Sequence, residues 1–98
     1  MVIRQSETYK GGDWWEWSVW VDGTEDELDG VARVEWRLHP TFPNPVRIVE
    51  DRASMFRLDT AGWGTFVVHA VVYKKEGSSA RLRHVLELHY PDGTLTQA

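Results

Sequence analysis

The sequence predicts an antiparallel all-β sandwich of about seven short strands. Three observations carry this: apolar side chains alternate with a period of two in several segments, proline and glycine clusters separate those segments at short intervals, and no segment shows helical periodicity. At 98 residues the chain reads as a single domain, 1–98, because a core this small buries roughly 60–70% of the unfolded surface and cannot be divided. Apolar residues at 42% and charged residues at 27% match a globular composition, which argues against a disordered or collagen-like chain.

Residues Trp14–Asp22 place Trp15, Trp17, Val19 and Val21 on one face and Trp14, Glu16, Ser18 and Trp20 on the other, the period of a half-buried strand. The acidic stretch 22–27 reads as a turn. Residues 31–38 alternate again, with Ala32, Val34, Trp36 and Leu38 inward, and the two segments read as a first hairpin. Residues 39–45 carry three prolines, which offer no amide hydrogen to a ladder, so they read as an ordered loop. Short strands are expected at 46–49 and 55–58, separated by a polar turn at Asp51 and Arg52. Two glycines around Trp63 break the chain at 60–64, and the nearly continuous apolar run 66–73 reads as a central strand. After a polar turn at 75–79, Leu82, Leu86, Leu88 and Tyr90 alternate with polar residues until Pro91, Asp92 and Gly93 end the last strand. The expected core holds Trp17, Val19, Val34, Trp36, Phe66, Val68 and Leu86.

Alternating strand directions bring three loops, 11–13, 39–45 and 60–64, to one end of the sandwich. One carries Phe42 between Thr41 and Pro43, another carries Trp63 between Gly62 and Gly64, and the third runs into Trp14 and Trp15. An aromatic cleft is the natural inference. Such walls suit a flat or cationic group, and glycine beside Trp63 lets backbone approach a ligand. Thr41 offers a hydroxyl that donates and accepts, and His39 a ring nitrogen that can orient it. The competing reading turns Phe42 and Trp63 inward as a plug closing the end of the sandwich.

Several chemistries lack support. The chain has no cysteine, which removes disulfides, thiolate ligands and thiol nucleophiles and fits a reducing, cytoplasmic setting. A formal net charge of -4 argues against direct binding of a phosphate backbone. No apolar stretch approaches the ~20 residues that span a bilayer, and no leader is evident in residues 1–10. His39, His69, His84 and His89 have no zinc-motif spacing, the acidic stretch 22–29 lacks the calcium-loop pattern, and Gly62–Trp63–Gly64 is not a dinucleotide fingerprint. No nucleophile and base are placed together, so neither metal, cofactor nor catalytic residues are expected.

The segment Leu38–His39–Pro40–Thr41–Phe42–Pro43–Asn44–Pro45–Val46–Arg47, followed by Phe56 and then Gly62–Trp63–Gly64–Thr65–Phe66, resembles the YEATS domain in order, spacing and residue type. The similarity extends from about Trp17 to about Tyr90, and the short chain is closer to the prokaryotic branch of that family. The resemblance implies an immunoglobulin-like sandwich of about seven to eight strands and a reader of acylated lysine, acetyl or crotonyl, held between aromatics of two loops. It implies Phe42 and Trp63 as walls, Thr41 as the hydroxyl on the acyl amide and the Trp63 backbone amide on the acyl carbonyl. His39, Gly62 and Gly64 would shape the cleft, and Trp14, beside the position of an additional aromatic wall, would be a further one. The implied partner is an acylated lysine on a protein, or a small planar acyl ligand. Two other readings use the same residues differently: an interaction or sensor domain presenting Trp14 and Trp20 to a protein, and a carbohydrate-binding sandwich using flat tryptophan faces.

Overall fold

The chain begins with a hairpin. In the computed structural model, which describes residues 1–96, β1 (Val2–Gly11) turns at residues 11–13 into β2 (Trp14–Asp22). The turn takes positive φ at three successive positions, Gly11 at 89°, Gly12 at 60° and Asp13 at 55°, a demand that glycine meets without steric cost. β5 (Leu58–Gly62) pairs with the other side of β2 to complete a three-stranded sheet, β1-β2-β5. β3 (Val31–Arg37), β4 (Val46–Val49), β6 (Val67–Lys74) and β7 (Ser79–Val85) form a four-stranded sheet in the order β4-β3-β6-β7. All pairings are antiparallel, and the two layers make the expected immunoglobulin-like sandwich. No helix among the described residues is long and apolar enough to cross a membrane.

Alternation along each strand fills the space between the layers. Trp15, Trp17, Val19 and Val21 of β2 meet Val34 and Trp36 of β3 and Val68, Ala70 and Val72 of β6, with Leu86 and Leu88 beyond β7. A buried tryptophan ring removes about 150–250 Å² from water, worth roughly 4–6 kcal/mol before the entropy of ordering it. Two of these indoles also find carbonyls for their N–H groups: Trp15 Nε1 donates to the His89 carbonyl at 2.8 Å and Trp36 Nε1 to that of Phe56 at 2.9 Å.

Several elements depart from expectation. The segments 14–22 and 31–38 are not a hairpin, because they lie in opposite sheets and β2 pairs with β1 instead. The acidic turn contains a short helix, α1 (Glu25–Asp29). Thr24 Oγ1 accepts from the Glu27 amide at 3.2 Å while the Glu27 carboxylate accepts from the Thr24 amide at 2.9 Å, a reciprocal cap that satisfies two otherwise orphaned donors. The expected strand at 55–58 is displaced to Leu58–Gly62, since a 3-10 turn at Arg52–Ser54 runs into left-handed Met55 (φ 59°) and Phe56 (φ 58°).

The last strand stops at Val85, short of residue 90. Beyond it the chain is secured by side chains of β1. The Gln5 amide group donates to the Glu87 carbonyl at 2.7 Å and accepts from the Glu87 amide at 3.0 Å. The Glu7 carboxylate accepts from the His89 amide at 2.6 Å. Two side chains thus do what a backbone ladder would otherwise do, and join the sheets along one side.

Candidate functional site

The loop 39–45 between β3 and β4 has three prolines and must satisfy its polar groups by other means. Its ends are clamped by Leu38 N donating to the Pro45 carbonyl at 2.7 Å, and Phe42 N donates to the His39 carbonyl at 3.0 Å. Pro40, fixed near the φ of a turn's second residue, suits that tight reversal. Arg47 holds the other half: its guanidinium donates to the carbonyls of Asn44 (3.1 Å) and Pro43 (3.0 Å) and reaches Thr60 Oγ1 of β5 at 3.4 Å. It also stands over the Phe42 ring at 5.9 Å, so one cation ties this loop to the opposite sheet.

Within the loop, the His39 ring sets the direction of the Thr41 hydroxyl. The Thr41 backbone N–H donates to His39 Nδ1 at 3.2 Å, and Thr41 Oγ1 lies 2.9 Å from the same nitrogen. An amide N–H can only donate, so Nδ1 is an acceptor and the neutral ring carries its proton on Nε2. With Nδ1 an acceptor, the Thr41 hydroxyl can share it as a donor, an orientation that leaves its oxygen lone pairs to accept from another group.

Phe42 is half-buried and meets Trp17 and Phe66 at ring-centroid distances of 6.2 and 5.4 Å. Its ring tip lies beside Gly62, at the end of β5, where a β-carbon would make ordinary contacts, 3.4 Å to Phe42 Cζ and 3.8 Å to Trp17 Nε1. Trp63 follows immediately and projects into solvent at 61% exposure, while Trp14 is 45% exposed at the start of β2. The 11–13 turn that delivers Trp14 is pinned from below. Tyr90 Oη donates to Asp13 Oδ1 at 2.8 Å and the Asp13 amide donates to Tyr9 Oη at 3.2 Å, with Tyr9, Trp15 and Tyr90 packed at 5.0–5.4 Å between centroids. The Asp13 carboxylate holds the Tyr90 phenol above its ordinary pKa.

His39, Thr41, Phe42, Gly62, Trp63, Gly64 and Trp14 all line one cleft of about 310 Å³ at this end. The plug reading does not describe Trp63, which is outside the core; Phe42 alone packs inward while still lining the cleft. One residue was placed differently by the sequence. Phe66, expected in the core, is only partly buried and forms the floor, edge-on to Trp17 at 5.8 Å and 6.1 Å from His39. Trp20 is at the far end of β2 from Trp14 on the same strand face, half-buried with the Arg57 guanidinium over its ring at 5.7 Å. Arg47 went unassigned, although its place in an otherwise uncharged, proline-rich segment could have suggested an anchor.

The cleft is an open slot between flat walls, floored by aromatic carbon, with one oriented acceptor at its rim. Such a slot suits a planar group carrying an N–H. Comparison with known proteins agrees with this geometry. A sequence model of the prokaryotic YEATS domain matches residues 15–87. The protein AF-9 homolog of Saccharomyces cerevisiae is 36% identical over 78 residues, covering 74% of this chain and 34% of the relative. Transcription initiation factor TFIID subunit 14 of Schizosaccharomyces pombe is 34% identical over 84 residues, covering 76% and 34%. The chain thus spans about a third of the length of these relatives. Among solved structures, the Yaf9 YEATS domain recognizing an H3K122suc peptide is similar with a TM-score of 0.68 and 30% identity, over 90% of this chain and 68% of that one. The Yaf9 YEATS domain bound to H3K27ac is similar with a TM-score of 0.71 and 25% identity, over 96% and 73%.

Proposed function

The chain belongs to the prokaryotic YEATS family, and from that premise we propose that it is a non-catalytic module reading an acylated lysine, acetyl or crotonyl, or a similar planar acyl group on a small molecule. The reading is carried by the Thr41 hydroxyl, held as an acceptor by His39 beside walls of the kind a flat amide would occupy. In it the acyl amide N–H donates to Thr41 Oγ1, the Trp63 backbone amide donates to the acyl carbonyl, and the acyl plane stacks between Phe42 and Trp63. Gly62 and Gly64 keep backbone close to that plane, and Trp14 forms a further wall. Aromatic stacking of this sort is worth about 0.5–1.5 kcal/mol per ring beyond burial. Resemblance to Yaf9 domains bound to H3K27ac and H3K122suc supports an acylated lysine as the ligand class. The domain, 1–98, is read as one binding unit working in the cytoplasm, a setting supported by the lack of cysteine.

The test is an amide-resolved NMR titration of the labelled protein with acetyl-lysine, crotonyl-lysine and unmodified lysine peptides. Saturable shifts confined to residues 39–44 and 62–65, with acylated peptides only, are expected. Identical shifts with unmodified lysine, or shifts centred elsewhere, would defeat the proposal.

A further inference from the structure

We propose that the outward face of the four-stranded sheet is a second contact surface, which takes acidic residues flanking the acylated side chain; the inference rests on the cleft being an acyl-lysine site. Arg37, His69 and Arg83 stand directly opposite one another across β3, β6 and β7. Glu35, Val71 and Arg81 form the next row. Directly opposed residues bring their β-carbons to about 4.5–5.5 Å, and like charges at that spacing destabilise a sheet. The only carboxylate in these two rows, Glu35, is already engaged by Arg37 at 2.6 Å. Among the described residues, the guanidinium groups of Arg81 and Arg83 have no hydrogen bond, ion pair or ring contact. A groove of about 250 Å³ runs between Arg37 and Arg81 across His69 and Val71. In a chain of net charge -4, so much positive charge on one face is a local inversion that an anion would relieve.

Position connects this face to the cleft. Arg37 precedes cleft-lining His39 by two residues and His69 follows cleft-lining Phe66 by three. At ~3.3 Å per residue the basic row begins about 7–10 Å from the cleft margin, within reach of side chains two or three positions from the acylated lysine in an extended peptide. A third row, Arg33, Tyr73 and Ser79, adds one more guanidinium, which lies over the Tyr73 ring at 4.2 Å, and a patch of three rows fits a short acidic segment. A long polyanion would extend beyond this patch, in a chain whose net charge of -4 opposes binding. The ligand class is therefore an acyl-lysine in an acidic context, not in a basic tail.

Three peptides test this, each with one acetyl-lysine flanked by Asp and Glu, by Ser and Gly, or by Lys and Arg, measured by calorimetry on the natural protein and on an Arg81→Gln, Arg83→Gln double variant. The acidic peptide should bind about five- to tenfold tighter than the neutral one at low salt, the yield of a few exposed ion pairs, and the basic one weaker. The advantage should vanish in the double variant and in high salt, while free acetyl-lysine binds both proteins equally. Equal affinity for all three peptides, with acetylation still required, would overturn the inference and leave the cleft reading standing. Acidic binding indifferent to acetylation would overturn both. Displacement of the acidic peptide by duplex DNA at lower concentration would overturn it in favour of a nucleic-acid surface.

Discussion

Phe42 rests its ring tip against Gly62, where a β-carbon would stand 3.4 Å from Phe42 Cζ. One wall of the cleft is therefore seated on the backbone that leads into the other. A single methyl at this distance is an ordinary contact, so Gly62→Ala should keep its unfolding free energy within about 1 kcal/mol. Gly62→Val adds branches that push Phe42 off its seat, at a cost of about 1–3 kcal/mol, and should abolish acyl-peptide binding. Urea unfolding and the Phe42 ring resonances check this; an unmoved ring in the valine variant would show that the contact does not position the wall.

Phe42 and Trp63 should separate stability from binding. Trp63 is 61% exposed, so Trp63→Ala should shift unfolding by no more than about 0.5 kcal/mol and remove ligand binding. Phe42 also packs on Trp17 and Phe66, so Phe42→Ala should lose binding and about 1–3 kcal/mol together, below the range for a fully buried ring. A large loss for Trp63→Ala in urea would instead mean that its ring supports the fold.

Gln5→Ala leaves the amide and carbonyl of Glu87 without the partners they have in the native chain. Water reaches these exposed groups, so the expected cost is about 0.5–1.5 kcal/mol, with faster hydrogen exchange at Glu87 and unchanged exchange in β3 and β6. Exchange accelerated evenly across all strands would argue that the seam opens only with global unfolding.

Burial holds the His84 imidazole below its ordinary pKa of 6.5, partly opposed by the charge of Glu87. The unfolded chain then takes up the proton first as pH falls, so this contribution is present above about pH 6.5 and is lost through the depressed folded value. The thermal midpoint should fall between about pH 7.5 and 5, and His84→Gln should flatten that decline. Asp59 acts in a lower window. Its hydrogen bonds from Arg57 and Ser18 hold its carboxyl below the usual range, so its contribution is present above about pH 3.9 and lost below it. A midpoint that rises on acidification from pH 7.5 would contradict the His84 assignment.

The strands that fill the core were legible because their inward positions are apolar: Trp15, Trp17, Val19 and Val21 declare the phase of β2 without help. β1 was not, and the reason is chemical. Its inward positions after Ile3 are Gln5, Glu7 and Tyr9, all partly buried, and the polar pair is spent on the backbone of residues 87–89. A period-two pattern written in glutamine and glutamate does not look like a buried face. The capping box of α1 was present in the order Thr24, Glu25, Asp26, Glu27, but one turn of helix has too short a period to stand out among carboxylates. The cleft was legible from loop placement, since proline and glycine punctuation marks its walls. Phe66 was misjudged because a floor and a core differ only in what covers them.

An unpaired strand margin is a template on which another polypeptide can add itself as a further strand. The backbone at residues 87–89 would be such a margin, beside a core built on large aromatic rings. Gln5 occupies both polar groups of Glu87, and Glu7 takes the amide of His89. Intermolecular pairing along this side is therefore blocked by two polar side chains of the same molecule, without a covering helix, and a substitution at Gln5 would raise the tendency to aggregate as well as lower stability.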